Sequence, residues 1–251
     1  MEQHQAQDTP FPETLEKFTA DPLSLLWKIP GIWPLDKESG PSSNLMVVRA
    51  RKLLGLKRIG HAGTLDPLAS GLLLLLAGNA TRLFDQMQDF GKSYRAGFTL
   101  GHRRDSQDIT GEVDTSFSPT VQPPIAHAML ENALDAFRGE ILQTPPMHSA
   151  LKKDGQPLYK LARKGVTVQR EARPVTVHNV SLRDFDGING VVDMTVSKGF
   201  YVRTLIDDLG LALGCGAVMT SLRRTAIGPF SLEQAVTLDG LAEKRLSTNL
   251  Q

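Results

Sequence analysis

The sequence has a single cysteine, Cys215, and no long apolar segment. One cysteine excludes an internal disulfide framework and a cysteine-rich metal site, and its small apolar neighbours predict a role in core packing. The longest apolar run, Leu72 to Ala77, is far shorter than the ~20 residues of a membrane-spanning helix. The N-terminus also lacks the charged and then apolar pattern of a signal peptide. We therefore predict a cytoplasmic protein that makes no membrane contact.

Sequence signals for metals and nucleotide cofactors are missing as well. The six histidines are scattered, and no glycine-rich phosphate loop ends in Lys-Ser or Lys-Thr. We predict no metal and no cofactor. The chain has 251 residues, of which 41% are hydrophobic. This is enough to bury one large core or two modest ones.

The net charge of +1 hides an uneven distribution of charged residues. Acidic residues dominate the first 21 positions, where Lys17 is the only lysine and the carboxylates are Glu2, Asp8, Glu13, Glu16 and Asp21. Basic residues dominate positions 152–173, where the acidic residues are only Asp154 and Glu171. The basic residues there are Lys152, Lys153, Lys160, Arg163, Lys164, Arg170 and Arg173. This segment predicts a phosphate-binding surface, and a solvated helix face is the alternative.

Hydrophobic periodicity indicates a mixture of helices and strands. Ser42 or Ser43 begins a helix that ends at Gly55, and a second helical stripe (Ala126, Met129, Leu130, Ala133, Leu134, Phe137) ends at Gly139. Further helices are predicted over Pro157–Lys164 and around Val202, Leu205, Ile206 and Leu209. Strands are predicted at Leu72–Leu76, Ser93–Leu100, Val175–Leu182 and Val191–Ser197, with Tyr94 pointing inward. The irregular order predicts an α+β domain with a mixed, largely antiparallel sheet.

One carboxylate lies in a glycine-punctuated turn just before the most apolar strand. The segment reads Gly60-His61-Ala62-Gly63-Thr64-Leu65-Asp66-Pro67-Leu68-Ala69-Ser70-Gly71. Gly60, Gly63 and Gly71 permit a positive φ or a close backbone approach, and Pro67 restricts Asp66. Asp before Pro is also ordinary turn chemistry. The stiff surroundings favour a carboxylate displayed for chemistry.

This segment closely resembles the catalytic motif of the TruB-type tRNA pseudouridine synthases, which isomerise the T-loop uridine at tRNA position 55. The resemblance extends from about Gly31 to Phe230 and includes further blocks in the family's order. They are Leu35–Asn44, Lys92–Arg95, Leu100–Asp108, Gln143–Lys152 and Ser197–Leu205. It implies the pseudouridine synthase fold and an isomerase that breaks the bond between C1′ and N1 and joins C1′ to C5.

The resemblance also implies roles for individual residues. Asp66 matches the catalytic carboxylate, which attacks C1′ or assists departure of uracil to a glycal. Arg203 matches the arginine that pairs with it, and a surface pair with Asp207 is the alternative. Tyr94 matches the tyrosine that stacks on the target base and can act as a general base, and a plain core tyrosine is its alternative.

Other positions match the family's substrate contacts. Tyr201 and Leu222 match an aromatic and an apolar wall of the pocket, and His61 matches the histidine inserted into the T loop once nucleotides are flipped out. Lys37 and Asp108 match positions near the site and could equally be structural, as His61 could. Lys152 and Lys153 begin the basic segment that we expect to bind RNA.

Two departures from the family pattern stand out. Bacterial members often carry a C-terminal RNA-binding domain of the PUA type, and we predict a catalytic domain over residues 26–251 without a full one. Residues 1–25 are predicted to be a flexible acidic extension. Arg104 stands where the family usually has threonine, and Gln107 is unusual. These residues loosen the assignment around Asp108.

Other functions remain possible from the sequence. The same fold could serve a tRNA-binding or tRNA-folding protein, or a synthase that acts on another structured RNA. A guide-RNA-dependent synthase would rely on partner proteins and a terminal domain, whereas here we predict a monomer without an obligatory protein partner. A hydrolase would need a second positioned carboxylate, which no motif supplies.

Overall fold

The structure, a computed structural model, describes residues 31–149, 151–153, 155–162 and 164–241. The predicted extension over residues 1–25 lies outside these residues. The described chain divides into two compact units, one formed by residues 31–89 and 226–241 and the other by residues 90–225.

Strands and helices follow one another irregularly along the chain. The strands are β1 Ile32–Lys37, β2 Ile59–Ala62, β3 Ser70–Ala77, β4 Lys92–Leu100, β5 Gly139–Gln143, β6 Lys152–Lys153, β7 Gln156–Pro157, β8 Arg173–Phe185, β9 Asn189–Val196, β10 Ala217–Ile227 and β11 Phe230–Ser231. The α-helices are α1 Ser43–Leu54, α2 Phe84–Asp89, α3 His127–Asp135, α4 Leu158–Ala162 and α5 Val202–Ala212. Short 3₁₀ turns span Gly78–Leu83 and Leu232–Gln234.

The first unit is built on β3. Both β1 and β2 pair antiparallel with β3, so that Leu35 lies opposite Leu73 and His61 lies opposite Leu75. The five consecutive leucines of β3 are all buried, as the unbroken apolar run predicts. Full burial of such a side chain stabilises the fold by about 1.5–3 kcal/mol. The strand therefore anchors the segments that enter and leave it.

Helix α1 forms where the sequence predicts it. Ser42 is its N-cap and accepts a hydrogen bond from the Leu45 amide at 3.2 Å, while Gly55 ends the helix in a left-handed conformation with φ 65°. Met46, Val47, Ala50 and Leu54 pack in one core cluster with Leu73 and Leu75 of β3.

The second unit contains a sheet in the order β10, β4, β9, β8, β5. The pairs β4–β9, β9–β8 and β8–β5 are antiparallel. In β4, Ala96, Phe98 and Leu100 are buried as predicted. Tyr94 is only half-buried, so the prediction that it points inward holds in part. Phe98 stacks on Phe185 with ring centroids 6.2 Å apart.

Two predicted helices are shorter than expected. Helix α3 ends at Asp135, Gly139 already opens β5, and Met129 is 44% exposed, so its predicted place in the buried stripe is wrong. Leu130 and Leu134 alone form the buried face, because a helix this short presents a narrow stripe to the sheet. The helix predicted over Pro157–Lys164 is the single turn α4.

Nearly all strand pairs are antiparallel, and two isolated parallel bridges join Leu35 to Val236 and Asp108 to Met219. The predicted α+β class with a mixed, largely antiparallel sheet is confirmed. Cys215 is buried, as its apolar neighbours predict. Within the described ranges, no helix is long and apolar enough to cross a membrane.

Candidate active site

The Asp66 loop lies in the first unit, between the end of β2 and the start of β3. The Ala69 amide donates to the Asp66 carbonyl at 3.0 Å, which closes a turn with Pro67 at its second position. Gly63 has a φ of 73°, a conformation that other residues rarely adopt. Gly60, by contrast, shows neither a positive φ nor a close neighbour, so our expectation for that glycine is wrong. The turn leaves the Asp66 side chain half-buried.

A buried lysine holds this loop from behind. Lys37, the last residue of β1, is fully buried, and its ammonium group donates to the Ala69 carbonyl at 2.6 Å and the Glu38 carbonyl at 2.8 Å. The Pro67 carbonyl lies at 3.5 Å from the same nitrogen. Hydrogen bonds from a charged donor are strong at a buried site that excludes water. Lys37 therefore fixes the backbone on the carboxyl side of Asp66.

Segment 39–43 fixes the same loop through three further contacts. The Gly40 amide donates to the Pro67 carbonyl at 2.7 Å, and the Ser39 hydroxyl donates to the Leu68 carbonyl at 2.7 Å. Ser43, in the first turn of α1, accepts from the Leu65 amide at 2.8 Å, and its hydroxyl lies 3.0 Å from the Leu65 carbonyl. Two blocks of the sequence motif are thus joined in space.

Replacing Lys37 by methionine should loosen the Asp66 loop. The Ala69 carbonyl would lose a charged donor, which costs about 1.5–3 kcal/mol of folding free energy. We expect a lower urea midpoint and a lower kcat at temperatures where the variant is still folded. The exposed Lys52 at the end of α1 offers a control, and Lys52→Met should change neither value. Unchanged urea unfolding of Lys37→Met would contradict the tethering role.

His61 also lies in the first unit, in β2 opposite Leu75 of β3. It is half-buried, five residues before Asp66. Its strand pairs with β3 along its whole length, which fixes the backbone of His61 ahead of the Asp66 loop. Its predicted insertion into RNA stays a prediction.

Arg203 lies in the second unit and is the second residue of α5. Its side chain is buried, with Nη2 donating to the His148 carbonyl at 2.7 Å and Nη1 at 3.4 Å from the Ser106 carbonyl. The Asp207 carboxylate accepts instead from Arg103, at 2.7 Å to each oxygen, and from Gln107. The alternative that Arg203 forms a surface pair with Asp207 is therefore wrong.

Asp108 is buried in the loop that follows β4. Its Oδ1 accepts from the Thr110 amide at 2.9 Å and from the Ser106 hydroxyl at 3.0 Å, so the carboxylate shapes the loop from inside. The Ile109 amide donates to the Met219 carbonyl at 3.0 Å, which ties the loop to β10. The unusual Gln107 does not disturb this arrangement, although its φ of 66° is the only positive value at a non-glycine position in the described residues.

Tyr94 has a buried cation beside its phenol. Arg224, in β10, is 1% exposed, and its guanidinium interacts electrostatically with the Tyr94 phenol. Burial lowers the pKa of Arg224, and the attraction to Tyr94 opposes that effect. Sequence reasoning missed Arg224 as a site residue. The available signal is the alternation Leu222-Arg223-Arg224, which puts Arg224 on the same strand face as the predicted pocket residue Leu222.

The remaining predicted residues lie in the second unit. Tyr201 occupies the N-cap position of α5 and is half-buried, and Leu222 is 9% exposed. Lys152 and Lys153 form β6, paired with β7. Lys160, Lys164 and Arg173 of the basic segment are exposed. No group of three or more metal-ligating side chains occurs in the part of the chain that the structure describes.

Asp208 gives α5 a stability that depends on pH. Burial and the neighbouring Asp207 raise the pKa of Asp208 to about 6, although Arg103 opposes this. An acid with a raised pKa is destabilising once ionised, so this cost is absent below about pH 4, grows between about pH 4 and pH 6, and is complete above that range. Asp208→Asn should therefore stabilise the protein at pH 7.5 by roughly 1–2 kcal/mol, allowing for partial exposure, and hardly at pH 4.

Urea unfolding of the wild type and of Asp208→Asn at both pH values checks this expectation. The exposed Asp184 of β8 provides the control for loss of one negative charge. A gain that is equal at pH 4 and pH 7.5 would contradict the assignment to Asp208.

Comparison with known proteins gives matches over most of the chain. A family model described as the N-terminal domain of TruB family pseudouridylate synthase matches residues 51–202, and one described as the C-terminal domain of tRNA pseudouridylate synthase B matches residues 203–249. The tRNA pseudouridine synthase B of Bordetella avium is 46% identical over 211 residues, which cover 84% of this chain and 86% of the relative. That of Pseudomonas aeruginosa is 48% identical and covers 85% and 69% of the two chains.

A solved structure is similar as well. A chain in the crystal structure of a Cbf5–Nop10–Gar1 complex superposes with a TM-score of 0.68 at 31% identity. The match covers 88% of this chain and 56% of that chain. The two family models together include parts of both units and every predicted site residue from position 51 onward.

Proposed function

This chain belongs to the TruB family of pseudouridine synthases and converts uridine to pseudouridine in tRNA, and we propose that its target is the uridine at position 55 in the T loop. The observation that carries the proposal is the Asp66 loop, which is held by Lys37 and by the segment that starts α1. Because these hydrogen bonds fix the loop, the Asp66 carboxylate is preorganised and can be held in a defined position relative to a bound substrate. We further propose that the enzyme acts as a cytoplasmic monomer without a cofactor.

The reaction needs one positioned carboxylate and no external group. The bond between C1′ and N1 breaks, uracil turns, a bond forms between C1′ and C5, and the proton at C5 is finally lost while N1 gains one. In our proposal Asp66 either attacks C1′ as a nucleophile or accepts the C2′ proton on the way to a glycal. Both routes use the ionised carboxylate.

The second unit supplies the other proposed groups. We propose that Arg203 pairs with Asp66 and orients its carboxylate, that Tyr94 stacks on the target base, and that the Tyr94 oxygen acts as the general base for the C5 proton. The supporting observations are the buried, carbonyl-fixed guanidinium of Arg203 and the Arg224 cation at the Tyr94 phenol. Tyr201 and Leu222 would form walls of the pocket.

Binding must bring the target nucleotide out of the folded T loop. Extrusion costs a few kcal/mol, which stacking in the pocket and contacts to the emptied loop offset. We propose that His61 fills the gap left in the loop. The exposed basic residues between positions 152 and 173 would contact the phosphates of the T arm, so binding should weaken as salt increases.

Tritium release from C5 of uridine-labelled, unmodified tRNA transcript tests the proposed function. Release that disappears when the T-loop target is replaced by cytidine would establish both the reaction and the position. Release that persists with the cytidine transcript would indicate another uridine. Tight T-arm binding without any release would favour the tRNA-folding alternative instead.

A further inference from the structure

Helix α5, which carries Arg203, begins without a side-chain cap of its own. Tyr201 at the N-cap position is extended, with φ −112° and ψ 108°, and makes no capping hydrogen bond through its side chain. The side-chain amide of Gln143 instead binds the backbone of Tyr201. Its Oε1 accepts from the Tyr201 amide at 2.7 Å and its Nε2 donates to the Tyr201 carbonyl at 3.0 Å. Gln143 is 2% exposed, so both bonds are shielded from water.

A second glutamine holds the next turn of the same helix. The Oε1 of Gln107 accepts from the Thr204 hydroxyl at 2.9 Å, and its Nε2 donates to Asp207 at 3.1 Å. Gln107 does this from a left-handed backbone conformation that non-glycine residues rarely adopt. Its carbonyl accepts from the Met219 amide at 3.2 Å, which fixes the strained residue to β10.

The two glutamines come from the segments whose carbonyls contact Arg203. The carbonyl of His148, five residues after Gln143, accepts from Nη2, and that of Ser106, next to Gln107, faces Nη1. Each segment therefore contacts α5 twice. The side-chain amide of its glutamine binds the start of the helix, and one of its backbone carbonyls lies at the Arg203 guanidinium. A shift of either segment would move the helix and the guanidinium together.

We propose that Gln143 and Gln107 are positioning residues for Arg203, which fix the first turns of α5 and thereby the direction of the Arg203 guanidinium. The inference rests on the proposed role of Arg203 in the reaction. Because Arg presents a rigid, planar fork, its pairing is sensitive to direction, whereas the flexible ammonium of lysine is much less so. A misplacement of about 1 Å at a reacting group costs about 100-fold in rate.

Two variants remove the amides and keep the local backbone conformation. Gln143→Met keeps the length of the side chain, and Gln107→Gly deletes the amide while suiting the left-handed backbone. We expect each variant to lower the kcat for tRNA transcript by about 10–100-fold, with KM within about 3-fold of wild type. In an Arg203→Lys background the same changes should lower kcat by less than about 3-fold, because the directional group is already gone.

A buried position remote in sequence from these segments supplies the control for lost stability. Val180→Ala opens a cavity in the sheet of the second unit, and it should lower the thermal midpoint without changing kcat in either background. Equal losses of kcat from the glutamine variants in both backgrounds would overturn the inference, as would full activity of both variants. If the wild type itself released no tritium, the proposed function would fall and the inference with it.

Discussion

Asp66→Asn is expected to lose at least ~10³-fold in kcat while still binding the T arm. Asparagine has nearly the shape of aspartate, but its neutral amide can neither attack C1′ nor accept a proton there, so the chemical step is lost under either proposed route. The turn around position 66 should survive, because its hydrogen bonds use backbone atoms and the side chains of Lys37, Ser39 and Ser43. Tritium release and filter binding of the same transcript measure the two properties separately.

A matched exposed carboxylate in the first unit controls for the change of charge. Asp85 lies in α2, and Asp85→Asn should leave release and binding at wild-type values. Retention of about a tenth of wild-type activity by Asp66→Asn, beyond what trace wild-type enzyme can explain, would show that another group performs the chemistry.

Tyr94→Phe is expected to lower kcat by about 10²–10⁴-fold, the usual contribution of a positioned acid or base. The ring remains available for stacking, so KM should change little. The physical reason is that phenylalanine keeps the ring but lacks the oxygen that serves as the general base in our proposal. Tyr94→Leu should in addition weaken binding, since stacking of a base on an aromatic ring contributes about 1–3 kcal/mol.

Measurement of kcat and KM for both variants separates stacking from proton transfer. Tyr159→Phe, at one of the two other tyrosines, serves as the control. Wild-type kcat in Tyr94→Phe would mean that the tyrosine only stacks, and the proton acceptor would have to be sought elsewhere.

The sequence predicted those elements whose structure is determined by residues close to them along the chain. Ser42 and Gly55 bound α1 because capping and left-handed termination are decided within one helical turn. The five leucines of β3 are buried because no other environment suits them. The Asp66 motif was recognisable for a similar reason, since its glycines and proline act within a few bonds of the carboxylate.

Groups whose partners are distant in sequence escaped prediction. An arginine in a strand is typical of a solvent-facing position, and the interaction of the buried Arg224 with Tyr94 joins residues that are far apart in the sequence. The amides of Gln107 and Gln143 are uncharged and common, and nothing in their own segments indicates that both bind α5. The prediction for Met129 fails because periodicity alone does not set how wide a stripe of the helix is buried.

The double contact between Ser43 and Leu65 has a consequence for motion. Ser43 belongs to the first turn of α1, and its hydroxyl oxygen accepts the hydrogen bond of the Leu65 amide in the loop before Asp66. The loop therefore cannot open without breaking a bond to a helix whose other face packs in the core. Loop and helix form one cooperative unit of local unfolding, and exchange of the Leu65 amide hydrogen with solvent should require the opening free energy of the helix start.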